Sequence, residues 1–150
     1  MNLKVPPAVQ FAFFAFSMWL IDRWLPANHI EFSYQKHLSW LLFIIGVAIG
    51  VMAVYRFKRA QTTVDPTRPD KASSLVIAGL YRYTRNPMYL AMLVVLLSFV
   101  IRLGNLYTLS MAIAFILFIT AFQIKPEEKA LTARFGDTYL MYKKKVRRWI

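Results

Sequence analysis

The sequence predicts an all-α, polytopic membrane protein with about four transmembrane helices and a C-terminal amphipathic helical tail. Three observations predict it. Apolar residues make up 58% of the 150-residue chain, above the roughly 45–50% of soluble domains. They gather into windows of about twenty residues, the length that spans a hydrocarbon core. The charged residues, only 17% of the chain with a net charge of +12, collect between and after those windows. A soluble fold of this size buries only about two-thirds of its surface and could not hide so much apolar area. Disorder is excluded, because it needs low hydrophobicity.

The first span is expected over residues 6–25, opened by Pro6-Pro7 at positions that favour a helix start. The apolar stretch Val9–Ile21 runs into Asp22-Arg23-Trp24, not into a small-residue cleavage site, so it reads as a helix and not a removable leader. The second span is expected over 38–55. Its Gly46 and Gly50 stand four apart, a spacing that admits a close helix neighbour and is equally met as tolerated glycine.

From Met88 to Ile124 the only charge is Arg102. The run is too long for one span, and Arg102-Leu103-Gly104-Asn105 supplies a turn. It therefore reads as a hairpin of spans 87–101 and 105–124. The first arm, at 1.5 Å per residue, covers about 22 Å, short of a core of about 30 Å. Its N-terminal turn must then lie at membrane depth, where irregular backbone is tolerated only around a protein pocket.

Residues 56–86 form a basic loop, with Thr62-Thr63-Val64-Asp65-Pro66 as its turn-rich part, and residues 125–150 form the charged tail. The whole chain reads as one domain. With the N-terminus inside, Lys4, seven basic residues of the loop and eight of the tail make sixteen on the inner side, against Arg23, Lys36 and Arg102 outside. The positive-inside rule thus predicts both termini cytoplasmic. In such a chain the basic excess suits anionic lipid headgroups and not nucleic acid. The chain has no cysteine, hence no disulfide, thiolate metal site or cysteine nucleophile. No metal site is expected.

Three polar constellations could carry chemistry. In Gly79-Leu80-Tyr81-Arg82-Tyr83-Thr84-Arg85-Asn86-Pro87-Met88-Tyr89, Asn86-Pro87 reads as an N-cap and first helical residue. The free amides of that helix end, with Arg82 and Arg85, suit a carboxylate or phosphate. The same residues also serve as a plain helix start with interfacial anchors. In Lys125-Pro126-Glu127-Glu128-Lys129-Ala130-Leu131, the two acids stabilise a first helical turn or hold an ammonium or sulfonium. They are two of only seven acids in the chain. In the third, Phe135-Gly136-Asp137-Thr138-Tyr139, Gly136 is expected to break the helix. Leu131 and Phe135, then Tyr139, Tyr142 and Val146, form an apolar face. The run Lys143–Arg148 reads as lipid-facing. His29 and His37 fall in the outer loop, across the membrane from these clusters.

At these residues the chain resembles the integral-membrane methyltransferases related to isoprenylcysteine carboxyl methyltransferase and the phospholipid N-methyltransferases. The family pattern is matched by Arg85-Asn86-Pro87-Met88-Tyr89, Glu127-Glu128-Lys129-Ala130-Leu131, Phe135-Gly136-Asp137-Thr138-Tyr139 and Val146-Arg147-Arg148. The likeness runs from about Thr62 onward, with residues 1–55 alike only as apolar spans. Asn86 stands where the eukaryotic prenylcysteine enzymes carry His, and the chain has fewer spans.

The resemblance implies S-adenosylmethionine as cofactor, and a pocket built from the Arg-Asn-Pro-x-Tyr turn and the Glu-Glu helix and closed by the tail. Its expected binding residues are Tyr81, Arg85, Asn86, Pro87, Tyr89, Glu127, Glu128, Tyr139 and Tyr142. Arg82 and Arg85, with Arg59 a further candidate, are expected to orient the cofactor or acceptor carboxylate. Which of Glu127 and Glu128 meets the cofactor stays open, because neighbouring helical positions point about 100° apart. The acceptor is expected to be a lipid or isoprenoid. Carboxylate O-methylation is preferred over amine N-methylation, since a carboxylate is ionised at pH 7 and needs no base. The alternatives are an NADPH-dependent, sterol-type membrane reductase and a non-enzymatic small membrane subunit.

Overall fold

The computed structural model describes residues 5–26, 29–59 and 74–150, and these form an all-helical bundle. The turn-rich segment Thr62–Pro66, Lys4, Arg68 and Lys71 lie outside the described residues.

Helix α1 spans Pro7–Trp24, α2 Gln35–Arg59, α3 Pro87–Leu103, α4 Thr108–Ile119 and α5 Lys125–Lys145. A 3-10 turn, Gly79–Arg82, precedes α3. Gln35–Arg59 and the continuous helix that begins at Thr108 are each long and apolar enough to cross a membrane, and α3 is a shorter apolar helix.

The structure extends α2 beyond both ends of its expected span. It also removes an expected boundary. Residues 120–124 form a π turn that carries α4 into α5 without a break. Gly136 does leave helical geometry, at φ 51° and ψ −128°, so α5 bends there.

Small residues set the closest helix approach. On α2 the buried positions Ser39, Gly46 and Ala53 recur every seven residues, and Ala91 and Ser98 do the same on α3. A Cβ on Gly46 would stand 2.7 Å from Val95 Cγ2 and 3.1 Å from the Ala91 carbonyl oxygen. Only glycine lets the two backbones meet so closely. The remaining core lies between α1, α3 and α4, around Phe14, Met18, Leu96, Phe115 and Ile119. Phe14 meets Phe115 edge to face at 5.5 Å.

The outward faces are apolar. Phe13, Phe16 and Trp19 on α1, Trp40, Ile44, Val47 and Val51 on α2, and Ile113 and Leu117 on α4 are exposed. Bands of this size on a soluble monomer are rare, and here they suit a lipid surround.

The turn between α3 and α4 is pinned from below. Gly104 takes the left-handed conformation that ends α3, at φ 67°. Fully buried Asn105 donates from Nδ2 to the Leu25 carbonyl at 2.8 Å, and its Oδ1 accepts from the Tyr107 amide at 3.0 Å. Gln35 Nε2 donates to the Ile101 carbonyl at 2.8 Å. His29 lies at this end, 2.9 Å from Asp22, and His37 stands in the first turns of α2. The opposite end of the bundle, where α1 begins, α2 ends and α3 begins, carries the candidate site.

Candidate functional site

The site is a cavity of about 290 Å³ at that end. Its walls are helix termini. Pro6–Ala8 come from the start of α1, Phe57 from the end of α2, Arg85–Tyr89 and Met92 from the start of α3, and Ile124, Glu127, Glu128 and Leu131 from the α4–α5 junction. Leu75 and Val76 close one side, and Tyr81, Tyr139 and Tyr142 another. All nine residues expected to bind cofactor line this cavity. Arg82 does not: it is exposed and absent from the lining. Arg59 is also exposed. Neither histidine lines the cavity.

The two adjacent acids have different surroundings. Glu128 is buried inside a cluster of cations. Arg85 Nη2 lies 3.0 Å from its Oε1. Arg148 donates to both oxygens, from Nε at 3.0 Å and from Nη2 at 2.8 Å. Lys143 Nζ stands 3.9 Å away. Burial alone would raise the Glu128 pKa. The Arg148 hydrogen bonds and the charges of Arg85, Arg148 and Lys143 outweigh it and hold the carboxyl below its ordinary range.

Glu127 has no such partners among the described residues. Tyr89 donates a 3.0 Å hydrogen bond to its Oε2. Burial, with the Glu128 charge adding to it, pushes the Glu127 carboxyl up to about 7 against the opposing Tyr89 bond. Two acids one residue apart are thus split by their surroundings. Burial also raises Tyr81, Tyr139 and Tyr142, so these phenols stay protonated donors.

Arg85 is only partly satisfied. Its side chain is 8% exposed and one nitrogen meets Glu128, yet Nε and Nη1 are buried without a hydrogen-bond partner among the described residues. Such groups are costly to leave unmade. Beside them α3 begins without a side-chain cap, and its first intrahelical bond runs from the Leu90 amide to the Asn86 carbonyl. The amides ahead of that bond make a helix end that favours an anion.

The segment after α5 returns across this end. The Arg85 amide donates to the Arg147 carbonyl at 3.0 Å, and Asn86 Nδ2 donates to the Arg148 carbonyl at 2.9 Å. Asn86 therefore ties the tail and does not cap α3 with its side chain. Trp149 Nε1 donates to Thr120 Oγ1 at 3.2 Å, and the Tyr142 hydroxyl donates to the Tyr81 carbonyl at 2.6 Å. Arg148, read from sequence as part of a lipid-facing run, is a structural partner of the site. Nothing in local spacing could reveal this, since the 20 residues from Glu128 to Arg148 include a bend at Gly136 and the end of α5. Phe57, Met92, Gln10 and Gln123 were also missed, because isolated residues in apolar helices carry no motif.

Apolar helices around a cavity with charged groups at one end define a class, the helical membrane proteins with a polar site at the bundle rim. The comparisons narrow it. The phospholipid methyltransferase family pattern matches residues 34–138, more than half of the chain, and the chain belongs to that family. It is 29% identical over 120 residues to the protein-S-isoprenylcysteine O-methyltransferase of Schizosaccharomyces pombe. That match covers 79% of this chain and 50% of the yeast enzyme. An uncharacterized protein of Haemophilus influenzae is 49% identical over 63 residues, which are 42% of this chain and all of that protein.

Proposed function

We propose that the cavity binds S-adenosylmethionine and that the protein transfers its methyl group to a lipid-like or isoprenoid acceptor. One observation carries the reading: the cavity holds unmatched groups of both signs. Arg85, already paired through Nη2 with Glu128, keeps Nε and Nη1 without an acceptor among the described residues, beside the uncapped start of α3. Glu127 has no cation partner among the described residues, and burial raises its pKa.

A molecule bearing a carboxylate and an ammonium would answer both. In this reading Arg85 and the α3 amides hold the carboxylate, Glu127 holds the ammonium, and Tyr81, Tyr139 and Tyr142 flank the remainder. When bound, the cofactor supplies an electrophilic methyl on a sulfonium. Aromatic faces near such a cation are favourable. Catalysis by the protein is then mainly positioning and exclusion of water.

The apolar wall of Pro7, Phe57, Met88, Met92 and Leu131 suits an acyl or prenyl chain. The chain would enter sideways between helices that cross the bilayer, with both termini on the cytoplasmic side, where the cofactor is made available. A carboxylate acceptor needs no base, and neither histidine lines the cavity, so O-methylation leads. Amine N-methylation is the second reading, favoured by Glu127, whose raised pKa of about 7 suits a proton acceptor.

Calorimetric titration of the detergent-purified protein tests the cofactor. S-adenosylhomocysteine should bind and NADPH should not. Binding of NADPH alone would favour a reductase, and binding of neither would favour a non-enzymatic subunit. A methyl-label screen on lipid extracts tests the acceptor: label released as methanol by mild base marks an ester, and base-stable label marks an amine.

A further inference from the structure

Side chains from four parts of the fold form a line of hydrogen bonds that ends at the cavity. Gln10 of α1 donates from Nε2 to Oε1 of Gln123 at 3.4 Å. Gln123, in the π turn, is placed to hydrogen-bond the Tyr89 hydroxyl. Tyr89 donates to Glu127 Oε2 at 3.0 Å. The Gln123 amide, accepting with its oxygen from Gln10, has its nitrogen to offer Tyr89. The donors then all point toward the carboxylate, and aligned bonds of this kind reinforce one another.

Both amides are out of place by packing alone. Gln10 is 5% exposed and Gln123 4% exposed. A desolvated amide among apolar helices is costly unless fully partnered. Gln10 Nε2 also reaches the Val5 carbonyl at 2.9 Å, but Oε1 has no partner among the described residues. The surrounding turns of α1 are Ala, Val and Phe. Leucine at position 10 would avoid the penalty but would lose the bonds to Val5 and Gln123.

We propose that Gln10 and Gln123 are positioning residues that fix the Tyr89 hydroxyl as a donor and hold the Glu127 carboxylate at the cavity wall. The proposal rests on the assignment of Glu127 to the cofactor's ammonium. The titratable groups that act on Glu127 are Tyr89 from α3, Tyr81 from the 3-10 turn, and Glu128 and Tyr139 from α5. The Glu128 charge is balanced by Arg85, Arg148 and Lys143. From α2 the cavity receives Phe57, and α1 and the π turn bring amides and apolar groups.

The test is S-adenosylhomocysteine binding from pH 5.5 to 8.5 in the native protein and in Gln123→Met, Gln10→Met and Glu127→Gln, with thermal melting of each. Native affinity should rise as the pH passes about 7, where Glu127 ionises. In Gln123→Met that rise should move upward by roughly half to one pH unit, with near-native affinity regained at the alkaline end. Gln10→Met should shift it the same way by less, and it carries the test if Gln123→Met fails to fold. Loss of affinity by an equal factor at every pH, or lowered melting with an unmoved midpoint, would show a merely structural role and overturn the proposal. If Glu127→Gln removes the rise while both Met variants keep the native midpoint, the proposal alone fails. If Glu127→Gln keeps the rise, the assignment of Glu127 fails and the proposal with it.

Discussion

The hydroxyl of Tyr89, in the first turn of α3, and the carboxylate of Glu127, in the first turn of α5, are joined at 3.0 Å across 38 residues of sequence. The α3–α4 hairpin brings them together, since both arms start and finish at the cavity end. Tyr89 is the neutral partner of an acid that no cation among the described residues balances.

Glu127→Gln should therefore have opposite effects on binding and on stability. Losing a charge-assisted contact costs roughly 1.5–3 kcal/mol, so S-adenosylhomocysteine affinity should drop about ten- to a hundredfold above pH 7. For folding the sign reverses. The folded pKa, about 7, lies above the ordinary carboxylate value. The neutral acid thus contributes stability that is full below the ordinary carboxylate range and lost as the pH rises through about 7. Native melting should fall between pH 6 and 8.5, and the variant should melt higher than the native protein at pH 8.5. A variant that melts lower at both pH values would contradict the assigned surroundings of Glu127.

Glu128→Gln should act mainly on folding. It leaves the buried guanidinium of Arg85 and that of Arg148 without their shared counter-charge. Removing one member of a buried ion pair costs about 3 kcal/mol or more. Melting in detergent should drop, and protease should reach residues 146–150 sooner. Native melting together with lost S-adenosylhomocysteine affinity would make Glu128, not Glu127, the ligand-holding acid.

The two glycines of α2 should respond differently to alanine. At Gly46 the new methyl would meet Val95 Cγ2 at 2.7 Å and backbone atoms of α3 at 3.1 Å. Overpacking of this kind costs about 1–3 kcal/mol. At Gly50 the nearest atom is Ala91 Cβ at 3.5 Å, an ordinary contact. Gly50→Ala should melt within a degree or two of the native protein, and Gly46→Ala well below it. Equal melting would mean that α2 and α3 do not meet as described.

The proposed crossing can be read by labelling, because the native chain has no cysteine. Ser33 is exposed just before α2, at the Asn105 end, and Asp137 is exposed on α5, at the cavity end. In sealed vesicles, Ser33→Cys should react from one side and Asp137→Cys from the other. Reaction of both from one side would sink the multi-pass arrangement.

Hydropathy and turn residues made the helices legible. Residues 6–25 and 87–101 locate α1 and α3 to within two residues of Pro7–Trp24 and Pro87–Leu103. The cavity lining was legible as far as local motifs reached, from Tyr81 to Tyr142. Three features were not. The separate surroundings of Glu127 and Glu128 depend on a rotation of about 100° that sequence leaves free. Arg148 meets Glu128 across a stretch that contains the bend at Gly136 and the extended end of α5 at Val146, and no local motif encodes that path. Gln10 and Gln123 are single polar residues in apolar runs, and their pairing needs the tertiary neighbourhood of α1 and the π turn.

The π turn at residues 120–124 bears on how this chain tolerates insertion and deletion. A π turn absorbs one more residue than an α-helix uses over the same path. If these residues closed up as plain α-helix, everything beyond would turn by about 100° and move by about 1.5 Å. Glu127 would leave the cavity wall. Removing one residue, such as exposed Ala121, while the turn relaxes to α would instead leave the acids where they stand. A chain one residue shorter at this point could present the same face to the same cavity, so a single-residue gap here is a change in length without a change in site.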